Sequence, residues 1–149
     1  MRAVLQRVTR ACVRVGDNVL GEIDSGIVVL LGVAHDDSES DIKYLVEKIA
    51  AIRIFDDADG RMNLSVRDVG GALLIVSQFT LYGDVRRGRR PSWSEAAQPG
   101  IAASLYESFV MEARRCIERV ETGSFGAIMQ VELVNDGPVT ILLDSRKMF

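Results

Sequence analysis

The chain alternates between short stretches of strand-period hydrophobicity and two longer stretches of helical period. In "ACVRV", Ala11, Val13 and Val15 fall on one side of an extended segment. Gly16-Asp17 then supplies a turn before "NVLGEI", so the pattern predicts a hairpin. Another turn at Ser25-Gly26 leads into "IVVLLGV", whose unbroken β-branched and aliphatic run predicts a strand buried on both faces. From Ser38 the period lengthens: Ile42, Leu45, Val46, Ile49 and Ile52 recur at three- and four-residue steps, with Ser38 and Asp41 placed to cap the helix they predict. "RIFDDADGRMNLS" reads as a short strand running into an acidic turn, and Gly70-Gly71 turns the chain into Leu73, Leu74, Ile75 and Val76. That core-strand run changes abruptly to Ser77, Gln78 and Thr80 around Phe79. Ile101, Leu105, Phe109, Val110, Ala113 and Ile117 mark a second amphipathic helix, with Cys116 beside its apolar face. "AIMQVELV" and "VTILLD" predict strands separated by a break at Gly137-Pro138. Many strands and two main amphipathic helices predict a mixed α/β class, with a curved, barrel-like β-sheet in one compact domain over residues 1–149.

Composition narrows the class further. At 149 residues, 48% hydrophobic and 26% charged, the chain can bury a sizeable core and is unlike a disordered or disulfide-stapled sequence. The longest apolar run, residues 27–34, is interrupted by Gly32 and falls short of the ~20 residues a spanning helix needs. "MRAVLQRV" at the start lacks a signal-peptide core, so the expectation is a cytoplasmic protein without membrane partners. Cys12 and Cys116 have no metal-ligand spacing and read as reduced, half-buried residues. The net charge of −3 argues against nucleic-acid binding through a bulk field. Fifteen of the eighteen cations are nevertheless arginine, and four of them, Arg86, Arg87, Arg89 and Arg90, sit in "VRRGRRPSW". This segment reads either as a solvated loop or as a contact for RNA backbone.

Few conventional reagents are present. His35 is the only histidine, so no histidine cluster can form, and a structural role is expected for it. The acidic turn fails as a calcium loop: with Gly60 in sixth place, the first and twelfth ligand positions are Phe55 and Val66. No G-x-S-x-G surrounds Ser77, and P-loop, G-x-G-x-x-G and C-x-x-C motifs are absent. Attention passes to backbone groups. Main-chain N–H groups leaving a ladder at Ser77-Gln78-Phe79-Thr80 can form an oxyanion-type cradle, or the polar side chains can simply satisfy one another at a strand end. Pro138 belongs at an edge or bulge, after a glycine that permits unusual backbone shapes; only ~5–6% of X–Pro bonds are cis.

"SQFTL" at 77–81 and "NDGPVT" at 135–140 together resemble the paired signatures of the D-aminoacyl-tRNA deacylase family, also called the D-tyrosyl-tRNA deacylase family. "QRV" at 6–8, "LLGV" at 30–33, "MNLS" at 62–65, "GRRPS" at 88–92 and "GSFGAIM" at 123–129 extend the resemblance in order along the chain, while the tail "SRKMF" carries none of it. The resemblance implies an editing hydrolase that cleaves the ester at the 3′ end of a D-aminoacyl-tRNA; in the sequence itself no cofactor motif is visible, and the lone His35 argues against a histidine-rich metal site while leaving one built from carboxylates open. The resemblance also implies a homodimer in which a cis Gly137-Pro138 enters the partner's active site and rejects L-aminoacyl esters. Ser77, Gln78, Phe79 and Thr80 would line the pocket, with the Phe79 N–H facing the substrate carbonyl, Met129 in the wall and Arg7 bracing the Gly-Pro loop. Such a pocket is expected to accept glycyl-tRNA mischarged on tRNA-Ala, and to use the terminal ribose 2′-hydroxyl in catalysis. The rival readings are an RNA-binding module without turnover and an esterase with Thr80 or Ser77 as nucleophile.

Overall fold

A computed structural model describes residues 1–149. In chain order the elements are β1 (Arg2–Val15), β2 (Asn18–Ile23), β3 (Gly26–Gly32), α1 (Glu39–Ala51), β4 (Phe55–Asp56), β5 (Met62–Leu64), β6 (Ala72–Ser77), a 3₁₀ turn (Phe79–Tyr82), α2 (Pro99–Cys116), β7 (Val120–Thr122) and β8 (Gln130–Asp144). The main sheet runs β2-β1-β3-β6-β7, with β8 along the other side of β1. β3, β6 and β7 are mutually parallel, and the rest of the sheet is antiparallel. Right-handed twist curls this path until its two ends meet. A Cβ at Gly21 of β2 would lie 2.8 Å from the Thr122 carbonyl of β7, and Arg119 donates across the same gap to the Glu22 carbonyl at 2.8 Å. The result is the nearly closed, barrel-like sheet that the pattern predicted.

β3 and β6 read as continuous apolar runs because both their faces are covered. Ile27, Val29 and Leu31 of β3, with Leu73 and Ile75 of β6, face the main core shared with α1 and α2. The intervening Val28, Leu74 and Val76 face the barrel interior with Val8, Val13 and Ile23. Period-two alternation therefore carries two cores on one pair of strands. Burying side chains of this size contributes roughly 1.5–3 kcal/mol each, which makes β3–β6 a stiff floor. α1 begins at Ser38, whose N–H donates to the Asp41 carboxylate at 2.9 Å, and it buries Ile42, Leu45, Val46 and Ile49 as the spacing predicted.

Two boundaries differ from the sequence expectation. The hairpin that the pattern places at Ala11 is the far end of a much longer strand beginning at Arg2. Ala3, Leu5 and Arg7 continue the alternation, but the cation in the third place hides it; Arg7 is only 5% exposed. The C-terminal strands are one element, β8. Its pairing with β1 steps from Asn135 opposite Val8 to Thr140 opposite Gln6, so residues 136–139 are extruded while the ladder resumes beyond them.

Candidate functional site

The site is formed where the parallel ladder runs out. β7 ends with Thr122 opposite Ile75, so Val76 and Ser77 keep β3 on one side and have no strand on the other. Ile75 itself is held from both directions: its carbonyl accepts the Gly123 N–H at 3.3 Å and the Tyr106 hydroxyl of α2 at 2.8 Å. Burial pushes that tyrosine hydroxyl up to about 12. Beyond this clasp the chain of residues 123–129 swings away, and a cavity of about 550 Å³ opens between it, the end of β6 and the start of α2. Its position at the carboxyl ends of parallel strands is the usual place for a ligand in an α/β sheet, and its volume suits a small organic group.

Ser77, Gln78, Phe79 and Met129 all line this cavity. Gln78 is fixed at its backbone, where its N–H donates to the Leu31 carbonyl at 2.7 Å. The 3₁₀ turn then begins, closed by Leu81 N–H to the Gln78 carbonyl at 3.3 Å and Gly83 N–H to the Thr80 carbonyl at 3.0 Å. The N–H groups of Phe79 and Thr80 open that turn and have no acceptor within it. The Thr80 hydroxyl accepts from the Gln78 side-chain amide and lies outside the cavity lining. Phe79 is 58% exposed at the rim, with Trp93 edge-on at 5.2 Å. Gly83 makes this packing feasible, since a Cβ there would sit 2.8 Å from the Trp93 ring.

The remaining wall consists of Leu31, Val33, Val76, Ala96, Ala97, Gln98, Pro99, Ala102, Phe125, Gly126, Ala127 and Val131. No lining side chain is ionisable, so charge stabilisation there must come from main-chain dipoles, serine and glutamine. Sequence reasoning missed Trp93, Phe125 and the segment 96–99. The available signal was Phe125 inside "GSFGAIM" and a tryptophan directly after an arginine-rich stretch.

Arg7, Gly137 and Pro138 lie elsewhere on the chain. The Gly137-Pro138 peptide is cis and sits in the extruded segment of β8. Two side chains hold it. Arg7 Nε donates to the Asp136 carbonyl at 3.1 Å while Nη1 donates to the Ile54 carbonyl at 2.6 Å, with the Asp136 and Asp56 carboxylates at 3.2 and 3.4 Å. Asn135 accepts the Val139 N–H at 2.7 Å and donates to the Val139 carbonyl and the Thr140 hydroxyl, each at 3.2 Å. Gly137 has φ +126°, and a Cβ there would be 2.8 Å from Val139 Cγ2, so both shape and space call for glycine. Neither Gly137 nor Pro138 lines the cavity of its own chain.

The other charged clusters pair within themselves at the surface. Asp57 takes the N–H groups of Asp59 and Arg61 at 2.9 and 3.0 Å and the Asn63 amide at 2.9 Å, which orders the acidic turn and holds its carboxyl below the usual range. His35 is exposed beside Asp36 and Glu95, at 3.6 and 3.9 Å. No three His, Cys, Asp or Glu side chains converge as metal ligands would.

Comparison with known proteins gives the chain its family. The model of the family described as D-Tyr-tRNA(Tyr) deacylase matches residues 4–144. A D-aminoacyl-tRNA deacylase of Thermosipho africanus (strain TCF52B) is 62% identical over 149 residues, covering 100% of both chains. A solved structure entitled c-Myc DNA Unwinding Element Binding Protein superposes with a TM-score of 0.92 at 42% identity, covering 97% of this chain and 98% of that one. Another, of a probable eukaryotic D-amino acid tRNA deacylase, shares the fold with a TM-score of 0.85 at 18% identity, covering 95% and 97%. The chain belongs to the D-Tyr-tRNA(Tyr) deacylase family. It is accordingly an enzyme, a hydrolase of aminoacyl-tRNA ester bonds. No helix is long and apolar enough to cross a membrane.

Proposed function

We propose that the chain cleaves the ester between a D-amino acid and the terminal ribose of tRNA, releasing both, and that it judges chirality by exclusion. D- and L-aminoacyl esters carry the same groups and differ only in where the Cβ branch points. Rigid main-chain carbonyls standing where an L side chain would project discriminate against it without recognising any particular D side chain. Gly137 and Pro138 are the candidates for that edge. They stand off their own chain's cavity, which supports their insertion by a second copy in a homodimer as the working unit. Glycine has no Cβ to collide, so glycyl-tRNA, including glycine mischarged on tRNA-Ala, is also a substrate.

The observation that carries this reading is a cavity walled by Ser77, Gln78, Phe79 and Met129 and by no ionisable side chain. A serine or threonine nucleophile ordinarily needs an adjacent base, and the wall offers none. The base function falls to the substrate: the terminal ribose 2′-hydroxyl assists water in attacking the ester carbonyl carbon, and the ribose 3′-oxygen departs with a proton. The Phe79 N–H faces the developing oxyanion, where one well-aimed donor is worth roughly 3 kcal/mol. Gln78 and Ser77 orient the ester, and Thr80 serves the Gln78 amide rather than the carbonyl.

The test is a matched assay of D-aminoacyl-, L-aminoacyl- and glycyl-tRNA, with a D-aminoacyl substrate ending in 2′-deoxyadenosine alongside. The D and glycyl esters should be cleaved, with the L and deoxy substrates slower by orders of magnitude. Equal cleavage of both mirror forms would overturn exclusion, and full activity on the deoxy substrate would overturn the RNA-assisted route. The related protein named for binding a DNA element raises a second reading, a nucleic-acid binder without turnover. Salt-sensitive binding indifferent to the aminoacyl ester would favour it.

A further inference from the structure

We propose that the hairpin at residues 84–92 is a phosphate grip, in which Arg87, Arg89 and Arg90 hold the RNA backbone leading into the cavity. The inference rests on the deacylase reading and adds a second contact area to it. The hairpin has a defined base: Asp84 and Ser92 exchange two backbone hydrogen bonds, at 2.8 and 2.9 Å. The base is seated at the cavity rim, because Trp93, the next residue, packs on Phe79 and lines the cavity.

The charges of the hairpin are divided. Asp84 pairs with Arg86, accepting its backbone N–H at 2.9 Å, its Nε at 2.9 Å and its Nη2 at 2.7 Å. That pairing holds the Asp84 carboxyl down to about 2. Arg87, Arg89 and Arg90 are exposed and have no carboxylate within ion-pair distance, in a chain with 21 acidic residues and a net charge of −3. Other arginines also lack an ion pair, but nowhere else are three of them gathered within four residues. Residues 86–90 bend between the two sides of the Asp84–Ser92 rung, so these guanidinium groups are carried on a short loop next to the cavity rim. In this proposal the nucleotides upstream of an ester seated in the cavity pass along the arginine loop. Planar guanidinium forks match phosphate oxygens in pairs and carry no base preference, which suits an enzyme that meets many tRNAs.

The experiment uses the full chain with Arg87→Gln, Arg89→Gln and Arg90→Gln combined, the corresponding triple lysine variant, and Arg115→Gln as a charge control from the far end of α2. D-aminoacyl-tRNA and a phosphate-free D-aminoacyl-adenosine are assayed across a salt series, and deacylated tRNA is titrated for binding. The glutamine triple should raise KM for tRNA by about ten- to a hundred-fold at low salt. Its salt slope should flatten by about two units, near 0.7 per lost single-strand contact. The loss on the nucleoside ester should be at least tenfold smaller, and the lysine triple should recover most of the slope. An unchanged KM and slope, an equal loss on both substrates, or the same slope change in Arg115→Gln would overturn the grip. A larger loss of affinity for duplex DNA than for tRNA would overturn the assignment to RNA. If the wild type cleaved neither ester, the deacylase reading would fall, while tRNA binding would still decide the hairpin: a flattened slope would support it and an unchanged one would overturn it.

Discussion

The end of β6 and the extruded turn of β8 both interrupt a ladder, by opposite means. At Ser77–Phe79 the ladder stops because β7 has ended, and the polar residues there are half-buried or exposed and lightly tied. At residues 136–139 the ladder continues on both sides, and the departing segment is bound by Arg7 from beneath and by Asn135 across its neck. The first place borders the cavity of its own chain, whereas the second is the better braced and stands apart from that cavity. Stiffness placed away from the local cavity is what presentation to a second copy requires. On the proposed reading, a chemically sparse pocket and a rigid outward edge divide the labour: one would accommodate the ester and the other would refuse the wrong enantiomer.

The largest expected effect comes from removing the brace beneath the turn. Arg7→Met strands the Asp136 and Ile54 carbonyls, and hydrogen bonds from charged groups are worth about 1.5–3 kcal/mol each. The loss should be about 3 kcal/mol, read from the urea midpoint. A loss below 1 kcal/mol would mean that the turn holds its shape without Arg7. Asn135→Ala leaves the core intact and loosens only the neck, so it should cost about 1–2 kcal/mol. Its sharper consequence is on selectivity, where the D-to-L ratio of kcat/KM should fall about tenfold or more; an unchanged ratio would separate the turn from chirality.

Changes at the end of β6 should do the reverse. Phe79→Ala removes an exposed aromatic partner of Trp93, worth about 0.5–1.5 kcal/mol, and should lower kcat/KM for the D ester more than it alters the D-to-L ratio. Thr80→Ala, lying outside the cavity, should reduce kcat by less than about threefold, in line with a residue that contributes less than one ordinary hydrogen bond. Trapping an acyl-Thr80 adduct would defeat that expectation. The smallest effect concerns pH. The Asp84 carboxyl is held at about 2, below its ordinary 3.8, so the stabilising contribution of its pairing with Arg86 is present above the unfolded value and is lost as pH falls through about 2. Titration of Asp84 should therefore contribute no change in tRNA affinity between pH 4 and 8, as followed by fluorescence titration with the Asp84→Asn variant as reference.

Much of this architecture is legible in the amino-acid sequence alone. Alternating or helical periods locate both helices, the doubly buried β3, and β6 with its polar end, because the side chains buried in this chain are almost all hydrophobic, although some hydrophobic positions, such as Ile101 of α2, stay exposed. That rule fails at Arg7, where a cation occupies a core position by donating to carbonyls that only the tertiary fold brings near. The first half of β1 is obscured for that reason. Ser77 to Phe79 and Met129 are visible as motif residues. Phe125 and Trp93 are not, since nothing local says that residues 93 and 125 border the gap beyond β7. The separation of Gly137-Pro138 from its own cavity is likewise a property of pairing register, which no single segment encodes.

β7 is three residues long, Val120–Thr122, and that brevity has a consequence of its own. One more rung would have zipped Val76 to a neighbour and drawn residues 123–129 into the wall of a finished cylinder. Room for a ligand in this architecture is a missing stave, and lengthening the strand by a pair of residues should seal the vessel without altering any residue of its floor.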